Sequence, residues 1–276
     1  MTHDLQRKPP EGPSPVDLSV LMVTYNHRHY ILPCLRSVFQ NTENLGLEII
    51  VVDNHSRDGS IQLIRQNFPQ VQTIENQKNV GFARAVNQAY RRARGEFFLI
   101  LNPDLETLPG SVGKMLVYLR SHPEVGLVLP KLINPDGSLQ YSCRTFSSFG
   151  TLLLRRPPLG WIFPQPARVR NHLMMDWSHE DTREVDWGLG ACMLVRREAI
   201  PGPDLLDERF FLYIEDIDLC FSLKKAGWKV VYYPYAVMVH HHLRQSARGL
   251  LNRAKWEHLI SQLKFYVKHR SLRPKP

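Results

Sequence analysis

The feature of this sequence that most restricts its fold is an alternation of short apolar runs with segments of helical spacing. Apolar side chains recur at helical positions in Tyr30 to Gln40 and again in Phe82 to Ala93. Strands that alternate with helices in this way predict an α/β domain with a mostly parallel sheet and helices on both of its faces. The apolar runs are Leu18–Val23, Glu48–Val52, Val71–Ile74 and Glu96–Leu101.

Polar residues directly follow two of these predicted strands. Asp53 comes after the second run, and Asn102-Pro103-Asp104 follows the fourth. Because ligands of such sheets bind beyond the carboxyl ends of the strands, we expect both carboxylates to share one crevice. Asp104 suits a divalent cation, Mg²⁺ or Mn²⁺, that also takes phosphate oxygens, whereas Asp53 suits hydrogen bonds from a nucleobase or ribose. Taken alone, each segment is also an ordinary turn sequence.

A second pair of carboxylates, Glu215 and Asp216, follows the aromatic run Phe210–Ile214 and precedes a predicted helix. Partial burial beside aromatic side chains would raise the pKa of such a carboxylate towards the range that is useful in a general base. Acidic residues at a helix N-terminus also stabilise the helix dipole without any catalytic role. The sequence is compatible with both interpretations.

Three consecutive histidines, His240 to His242, end the last predicted strand. Imidazole is a common metal ligand, so a second metal-binding group is expected here, in a chain that already contains Asp104. Successive residues of a strand face opposite sides, so at most two of the three, His240 and His242, can share a side. The order of the histidines does not show which of them binds.

The positive charge of the chain is concentrated at its C-terminal end. Residues 244–276 contain nine basic side chains and one acidic side chain, and so carry +8 of the net charge of +9. The remaining body is nearly neutral, which argues against a nucleic-acid partner. Apolar residues at helical spacing between 256 and 267 predict a helix that docks on the body, contacts an anionic membrane surface, or does both. We expect this peripheral contact to involve residues 250–276.

The cysteine content also indicates the cellular compartment of the protein. The four cysteines lie far apart and lack metal-site spacing, which favours a reduced, cytosolic protein. We find no signal-peptide pattern, and the longest apolar runs are well short of the ~20 residues that span a membrane. Residues 1–16 are rich in proline and predict a disordered leader.

Several short motifs follow one another in an informative order, although each of them is weak alone. They are Val23–Asn26, Val51–Asn54, Asn79–Ala83, Leu101–Asp104, Pro130–Leu132, Asp136–Ser138, Gly190–Ala191, Val195–Arg197 and Asp207–Leu219. In this order they resemble the inverting family 2 glycosyltransferases of the GT-A fold, and in particular their rhamnosyltransferase branch. The resemblance implies a nucleotide-sugar-binding half over residues 17–125 and an acceptor-binding, catalytic half of the same domain over residues 126–243. The basic amphipathic helix of residues 244–276 follows.

The resemblance also implies a role for each matching residue. Asp104 would hold a divalent metal on the donor diphosphate, with His240 as the family's histidine after the last strand. Asp216 would be the general base, and Glu215 its neighbour. Asn102 stands where the family commonly has the first acid of an Asp-x-Asp motif. The residues implied at the nucleotide are Thr24, Tyr25, Asn26, Asp53, Asn79, Arg84 and Asn102.

The chemistry of sugar transfer agrees with these residues, because it needs a stabilised diphosphate leaving group and a base for the acceptor hydroxyl. We therefore predict transfer of L-rhamnose from dTDP-rhamnose to a polysaccharide or polyprenyl-linked glycan, at the cytoplasmic face of the cell membrane. A UDP-hexose donor is the alternative within the class. A nucleotidyltransferase and a non-catalytic binder of sugar nucleotides are the alternatives outside it.

Overall fold

The computed structural model describes residues 16–42, 45–146, 166–241 and 253–269. Each predicted apolar run of the first half forms a strand, and each helical segment forms a helix. The prediction of an α/β alternation is therefore confirmed. The elements are β1 (Leu18–Thr24), α1 (Ile31–Gln40), β2 (Leu47–Asp53), α2 (Ser60–Asn67), β3 (Gln72–Glu75), α3 (Phe82–Tyr90) and β4 (Phe97–Leu101).

The second half contains shorter strands and longer connections. Its first elements are β5 (Leu105–Thr107), α4 (Ser111–Ser121), β6 (Val125–Ile133), β7 (Leu139–Gln140), β8 (Cys143–Arg144) and α5 (Pro166–His172). These are followed by β9 (Arg183–Glu184), β10 (Trp187–Gly188), β11 (Cys192–Arg196), α6 (Glu215–Lys225), β12 (Lys229–His240) and α7 (Arg253–His269).

One large sheet runs through the molecule in the order β3-β2-β1-β4-β11-β6-β12-β5. The first four strands are parallel to one another, and β12 is parallel to β6. Strand β11 runs antiparallel to both of its neighbours, β4 and β6. The sheet is therefore mostly parallel but mixed, because the second half inserts antiparallel strands beside the first.

Helices cover both faces of this sheet, as predicted. Successive residues of β1 alternate between two apolar clusters, with Val20 and Met22 in one and Leu21 and Val23 in the other. The first cluster contains side chains of α1, α2 and α4, and the second contains side chains of α3 and α6. A strand that is buried on both faces reads as a continuous apolar run, which explains the pattern in the sequence.

Helix α7 packs against the body through both apolar and polar side chains, and some of its apolar side chains stay exposed. Phe265 is buried in a cluster with Phe210, Ile214 and Phe221. Ser261 and Gln262 on the same helix are also buried. The apolar residues that remain exposed are Ile260, Leu263 and Val267.

The other terminal predictions lie largely outside the described residues, which begin at residue 16 and omit residues 242–252 and 270–276. In the stretches that are described, we find no helix whose length and apolar content would suffice to cross a bilayer.

Candidate active site

Two buried polar groups lie side by side where β1 and β2 end. Thr24 and Asp53 are register partners in this parallel pair, and both are almost completely buried. Asp53 Oδ2 accepts a hydrogen bond of 3.1 Å from the Ser56 amide. Among the described residues, Thr24 Oγ1 and Asp53 Oδ1 have no hydrogen-bond partner. Such atoms are rare in folded proteins, so these two are candidates for contact with a polar ligand.

Asn54 forms hydrogen bonds that connect the loops around Thr24 and Asp53. Its Nδ2 donates a hydrogen bond to Asn79 Oδ1 at 2.9 Å. Asn26, which has a positive φ of 60°, accepts the Arg57 amide at 2.9 Å. Two of the predicted nucleotide residues, Asn26 and Asn79, therefore lie in the loops next to Asp53, where their side chains hold the backbone of those loops.

The loop after β1 also approaches the loop after β4. Tyr25 is 40% exposed, and its amide donates a hydrogen bond to His27 Nδ1 at 3.1 Å. Burial lowers the pKa of His27, and the negative charges of Asp104 and Asp58 act in the opposite direction. His27 is therefore near enough to Asp104 to be affected by its charge.

Asn102 and Asp104 stand directly after β4. The Asn102 amide donates a hydrogen bond to the Ala191 carbonyl oxygen at 2.8 Å, which extends the pairing of β4 with β11 by one residue. Asp104 is 8% exposed, and its backbone carbonyl accepts the His241 amide at 2.9 Å. The end of β12 thus lies beside the Asp104 loop.

Of the three histidines at the end of β12, the structure brings His240 to Asp104. His240 Nε2 lies 3.6 Å from Asp104 Oδ1, and both side chains are buried. His241 Nε2 instead lies 2.8 Å from Glu106 Oε1. His242 lies outside the described residues.

Gln140 determines which ring nitrogen of His240 carries the proton. Its Nε2 donates hydrogen bonds to the His240 carbonyl oxygen at 3.0 Å and to Asn134 Oδ1 at 2.6 Å. The atom of Gln140 that lies 2.9 Å from His240 Nδ1 is therefore its Oε1, an acceptor. Because two acceptors cannot bond, Nδ1 donates, and in the neutral ring Nε2 directs its lone pair towards Asp104.

The second pair of acids begins α6. The Gly190 amide donates a hydrogen bond to Asp216 Oδ2 at 2.9 Å, and the Ile217 amide donates one to Oδ1 at 2.8 Å. Burial raises the pKa of Asp216. Burial, followed by the charge of Asp216, raises the pKa of Glu215. A carboxylate that is oriented by backbone amides and has a raised pKa has the properties of a general base.

The chain is strained immediately before these acids. Tyr213 and Ile214 have φ values of 66° and 74°, in the left-handed region. This conformation is especially unfavourable for a β-branched residue and costs about 1–3 kcal/mol. Phe265 of α7 packs in the same cluster as Ile214, and Ser261 Oγ donates a hydrogen bond to the Leu212 carbonyl oxygen at 3.3 Å. Packing of α7 therefore supports the conformation that presents Glu215 and Asp216.

Backbone contacts join the predicted nucleotide, diphosphate and base residues at one edge of the sheet. The Gly190 amide donates a hydrogen bond to Asp216. The carbonyl oxygen of Ala191, the residue after Gly190, accepts the Asn102 amide. On the other side, Gly81 approaches the Phe211 carbonyl oxygen so closely that a Cβ there would lie 2.7 Å from it. The loop before α3 therefore contacts the loop before α6.

Arg84, another of the predicted nucleotide residues, forms an ion pair with Glu208. Its Nε lies 2.9 Å from Glu208 Oε2, and about half of the side chain is exposed. The predicted role of Arg84 in closing over the nucleotide remains a prediction, and this ion pair would have to open for it.

The sequence patterns did not identify Gln140 or Gly190 as site residues. Gln140 lies on a two-residue strand, which is too short to produce a periodic signal. Gly190 acts through its backbone and through its lack of a side chain. Its only sequence signal is the Gly190–Ala191 motif, and a glycine in a motif does not show which group approaches it.

The sequence is similar to those of known proteins. Residues 19–178 match the family described as Glycosyl transferase family 2. The N-acetylglucosaminyl-diphospho-decaprenol L-rhamnosyltransferase of Mycobacterium tuberculosis is 32% identical over 245 residues, which cover 84% of this chain and 78% of that protein. Rhamnosyltransferase WbbL of Escherichia coli K12 is 26% identical over 262 residues, covering 92% and 94% of the two chains.

The fold is similar to that of solved glycosyltransferases. The crystal structure of GalNAc-T7 with UDP, GalNAc and Mn²⁺ matches 96% of this chain with a TM-score of 0.64 and 15% identity. This chain spans about half of that structure, 52% of its length. The predicted GT-A fold is confirmed, and the chain belongs to glycosyl transferase family 2 and is a glycosyltransferase.

Proposed function

We propose that this glycosyltransferase moves L-rhamnose from dTDP-rhamnose to a lipid-linked glycan with inversion at the anomeric carbon. The names of the two relatives support the sugar, and the name of the mycobacterial relative supports an acceptor on a polyprenyl diphosphate. The observation that carries the proposal is the position of Asp216. Through Gly190 it is held beside the end of β4, where Asp104 faces His240.

Asp216 acts as the general base in this proposal. Its carboxylate takes the proton of the acceptor hydroxyl while the hydroxyl oxygen bonds to the anomeric carbon from the face opposite the diphosphate. The bond between that carbon and the diphosphate oxygen breaks, and the diphosphate leaves with the electron pair. The Gly190 and Ile217 amides keep the carboxylate in one orientation during the transfer.

Asp104 and His240 would hold a divalent cation, Mg²⁺ or Mn²⁺. The donor set fits, because the Asp104 carboxylate faces His240 Nε2, while the other ring nitrogen of His240 is hydrogen-bonded to Gln140. Such cations are commonly bound by one or two protein side chains together with substrate phosphates. When bound, the cation would stabilise the negative charge of the departing diphosphate.

Thr24 and Asp53 would bind the base or ribose of the donor, since each has a buried oxygen that lacks a protein partner among the described residues. Thymine and uracil present the same polar edge to such atoms, so a UDP-sugar is the second candidate donor. Release of dTDP or UDP from a panel of sugar nucleotides, measured without acceptor, distinguishes the two.

Asp216→Asn should abolish transfer by removing the proton acceptor while it keeps the shape of the side chain. We expect the turnover number to fall by about 10²–10⁴-fold, with little change in donor affinity. Rhamnose transfer to a polyprenyl-diphosphate acceptor and calorimetric donor binding are the measurements. Ordinary turnover in this variant would refute the role of Asp216 as base.

Gly190→Ala should misplace Asp216 without unfolding the protein. A Cβ at residue 190 would lie 3.0 Å from Asp216 Cβ and 3.4 Å from its Oδ2, so the carboxylate must move. Small displacements of reacting groups cost up to about 10²-fold in rate, and we expect at least about a tenfold loss of turnover.

Gly113→Ala is the matched control for this change. Gly113 lies in α4, and a Cβ added there would meet open space within the described part of the chain. Alanine should therefore stabilise the helix by about 1 kcal/mol or less and leave turnover unchanged. Equal turnover in both alanine variants would show that the Gly190 contact does not position the base.

Asp104→Ala should remove the dependence of donor binding on the cation. We expect donor affinity in Mn²⁺ to fall by at least about tenfold, to the value that the unaltered protein shows in a chelator. Glu106→Gln, two residues away and next to His241, is the control for nearby charge. Calorimetric affinity that is unchanged in the Asp104 variant with Mn²⁺ present would exclude this metal site.

We also propose a peripheral contact of α7 with an anionic membrane. Its exposed apolar residues, Ile260, Leu263 and Val267, lie at helical spacing on one side, and residues 244–276 carry most of the net charge. Two of the basic residues, Lys264 and Lys268, are engaged with the body: Lys264 with the Arg209 carbonyl oxygen, and Lys268 with Asp218. The contact therefore depends on the exposed apolar residues and on the remaining basic ones.

Replacing Ile260, Leu263 and Val267 together by serine should reduce co-sedimentation with phosphatidylglycerol vesicles, because the apolar surface that enters the interface is lost. Transfer to a soluble acceptor analogue should not change. Val117→Ser, which alters an equally exposed apolar residue on α4, should sediment like the unaltered protein. If the triple variant co-sediments as well as the control, the membrane contact through this face is wrong.

A further inference from the structure

One buried side chain, that of Asn54, joins the site proposed for the donor to the turn of residues 76–82. Asn54 directly follows Asp53, and its amide donates a hydrogen bond to the Thr24 carbonyl oxygen at 2.8 Å. Thr24 and Asp53 carry the two buried oxygens that we assign to the donor. Asn54, which is only 3% exposed, is therefore fixed to the backbone of both residues.

The side chain of Asn54 forms four hydrogen bonds, and all of them go to the 76–82 turn. Its Nδ2 donates to Asn79 Oδ1 at 2.9 Å and to the Gly81 carbonyl oxygen at 3.3 Å. Its Oδ1 accepts the Val80 amide at 2.9 Å and Asn76 Nδ2 at 3.3 Å. A backbone amide only donates and a carbonyl oxygen only accepts, so these contacts fix which end of the side chain is which. A side chain that lacks either a donor or an acceptor cannot form this set.

The end of the 76–82 turn contacts the segment that leads to the proposed base. The Phe82 amide donates a hydrogen bond to the Phe211 carbonyl oxygen at 2.8 Å. Gly81 has a φ of 92°, and a Cβ added to it would lie 2.7 Å from the same oxygen and 2.8 Å from Cδ2 of the Phe211 ring. The turn is therefore packed against Phe211 so closely that no space is left for a Cβ.

Phe211 begins the stretch of backbone that leads to Asp216. Residues 213 and 214 lie between them with positive φ values, a conformation that persists only where surrounding contacts maintain it. The Phe211 carbonyl oxygen is bound by the 76–82 turn, and the carbonyl oxygen of the next residue, Leu212, is bound by α7. Different elements therefore hold two neighbouring residues, and the turn is a support of the conformation that presents the base.

We infer that Asn54 is a positioning residue for the transfer reaction: by holding the 76–82 turn against Phe211, it helps to keep Asp216 in place. The inference rests on the proposed role of Asp216 as the base. It connects the donor side of the site with the acceptor side through one buried side chain. A change at Asn54 should therefore slow transfer even when the donor site is saturated.

The test is the turnover number of Asn54→Ala at saturating dTDP-rhamnose and saturating polyprenyl-diphosphate acceptor. Saturation removes any loss of donor affinity from the comparison, so that the remaining loss reports the placement of the reacting groups. We expect turnover to fall by about tenfold, because small displacements of such groups cost up to about 10²-fold in rate. Circular dichroism at the assay temperature shows whether the variant is folded.

A double variant tests whether the effect passes through Phe211. Phe211→Ala removes the ring that packs on Gly81, and we expect a loss of turnover of similar size. If both side chains act through the 76–82 turn, Asn54→Ala combined with Phe211→Ala should stay within about twofold of the slower single variant. Independent effects would instead multiply to about 100-fold.

Asn41→Ala is the matched control for a lost asparagine. Asn41 also donates to backbone oxygens, those of Ser37 at 2.8 Å and Thr107 at 2.9 Å, but it lies at the C-terminal end of α1. Its turnover at saturation should equal that of the unaltered protein. Asn54→Asp keeps the shape of the side chain and the oxygen that accepts the Val80 amide, but it donates nothing. It should also lose turnover, and it takes the place of Asn54→Ala if that variant does not fold.

Turnover that is unchanged at saturation in the folded Asn54 variant overturns the inference, since Asn54 then affects the donor alone. Losses that multiply in the double variant also overturn it, because they show that Asn54 and Phe211 act separately. An equal loss in Asn41→Ala does so as well, since it indicates a general effect of a lost buried amide. The proposed function fails separately, if Asp216→Asn keeps its turnover.

Discussion

The antiparallel pairing of β11 with β4 is the contact on which the proposed active site depends. In a fully parallel sheet, only the carboxyl ends of the strands lie at the edge where ligands bind. Because β11 runs in the opposite direction, its beginning lies beside the end of β4, and the Ala191 carbonyl accepts the Asn102 amide. Gly190, the residue before, can then hold Asp216 next to the loop that contains Asp104. A parallel β11 would place Gly190 at the opposite edge.

The C-terminal helix shows that the net charge of a segment differs from the charge that it presents to solvent. Residues 244–276 carry +8 in the sequence. In the folded protein, however, Lys268 lies 2.8 Å from Asp207 and 2.7 Å from Asp218, and His269 also binds Asp218. Part of the basic charge therefore anchors the helix to residues on both sides of the two acids, Asp207 before them and Asp218 after them. The same helix that supports the strained Ile214 exposes Ile260, Leu263 and Val267, so its docking on the body and the proposed membrane contact use different sides.

Much of the fold could be predicted because strands buried on both faces leave a local record in the sequence. The runs that became β1, β2 and β4 are continuous and apolar, and the residues directly after them are the predicted Asp53 and Asn102. The pairing partners of β11 could not be predicted, since they are set by contacts between residues far apart in the chain. For the same reason Gln140 escaped detection, because it acts through a hydrogen bond to His240, which is far away in the sequence.

By itself, the sequence determined the kinds of residue and the strand ends at which they stand: carboxylates after β2 and β4, two acids at the start of α6, and histidines after β12. It could do so because strand ends and helix starts are marked by neighbouring residues. Only the tertiary structure decided that His240, rather than His241, faces Asp104, and that the Gly190 amide holds Asp216. Those choices depend on the direction and register in which separate strands pair, which short-range sequence patterns do not encode.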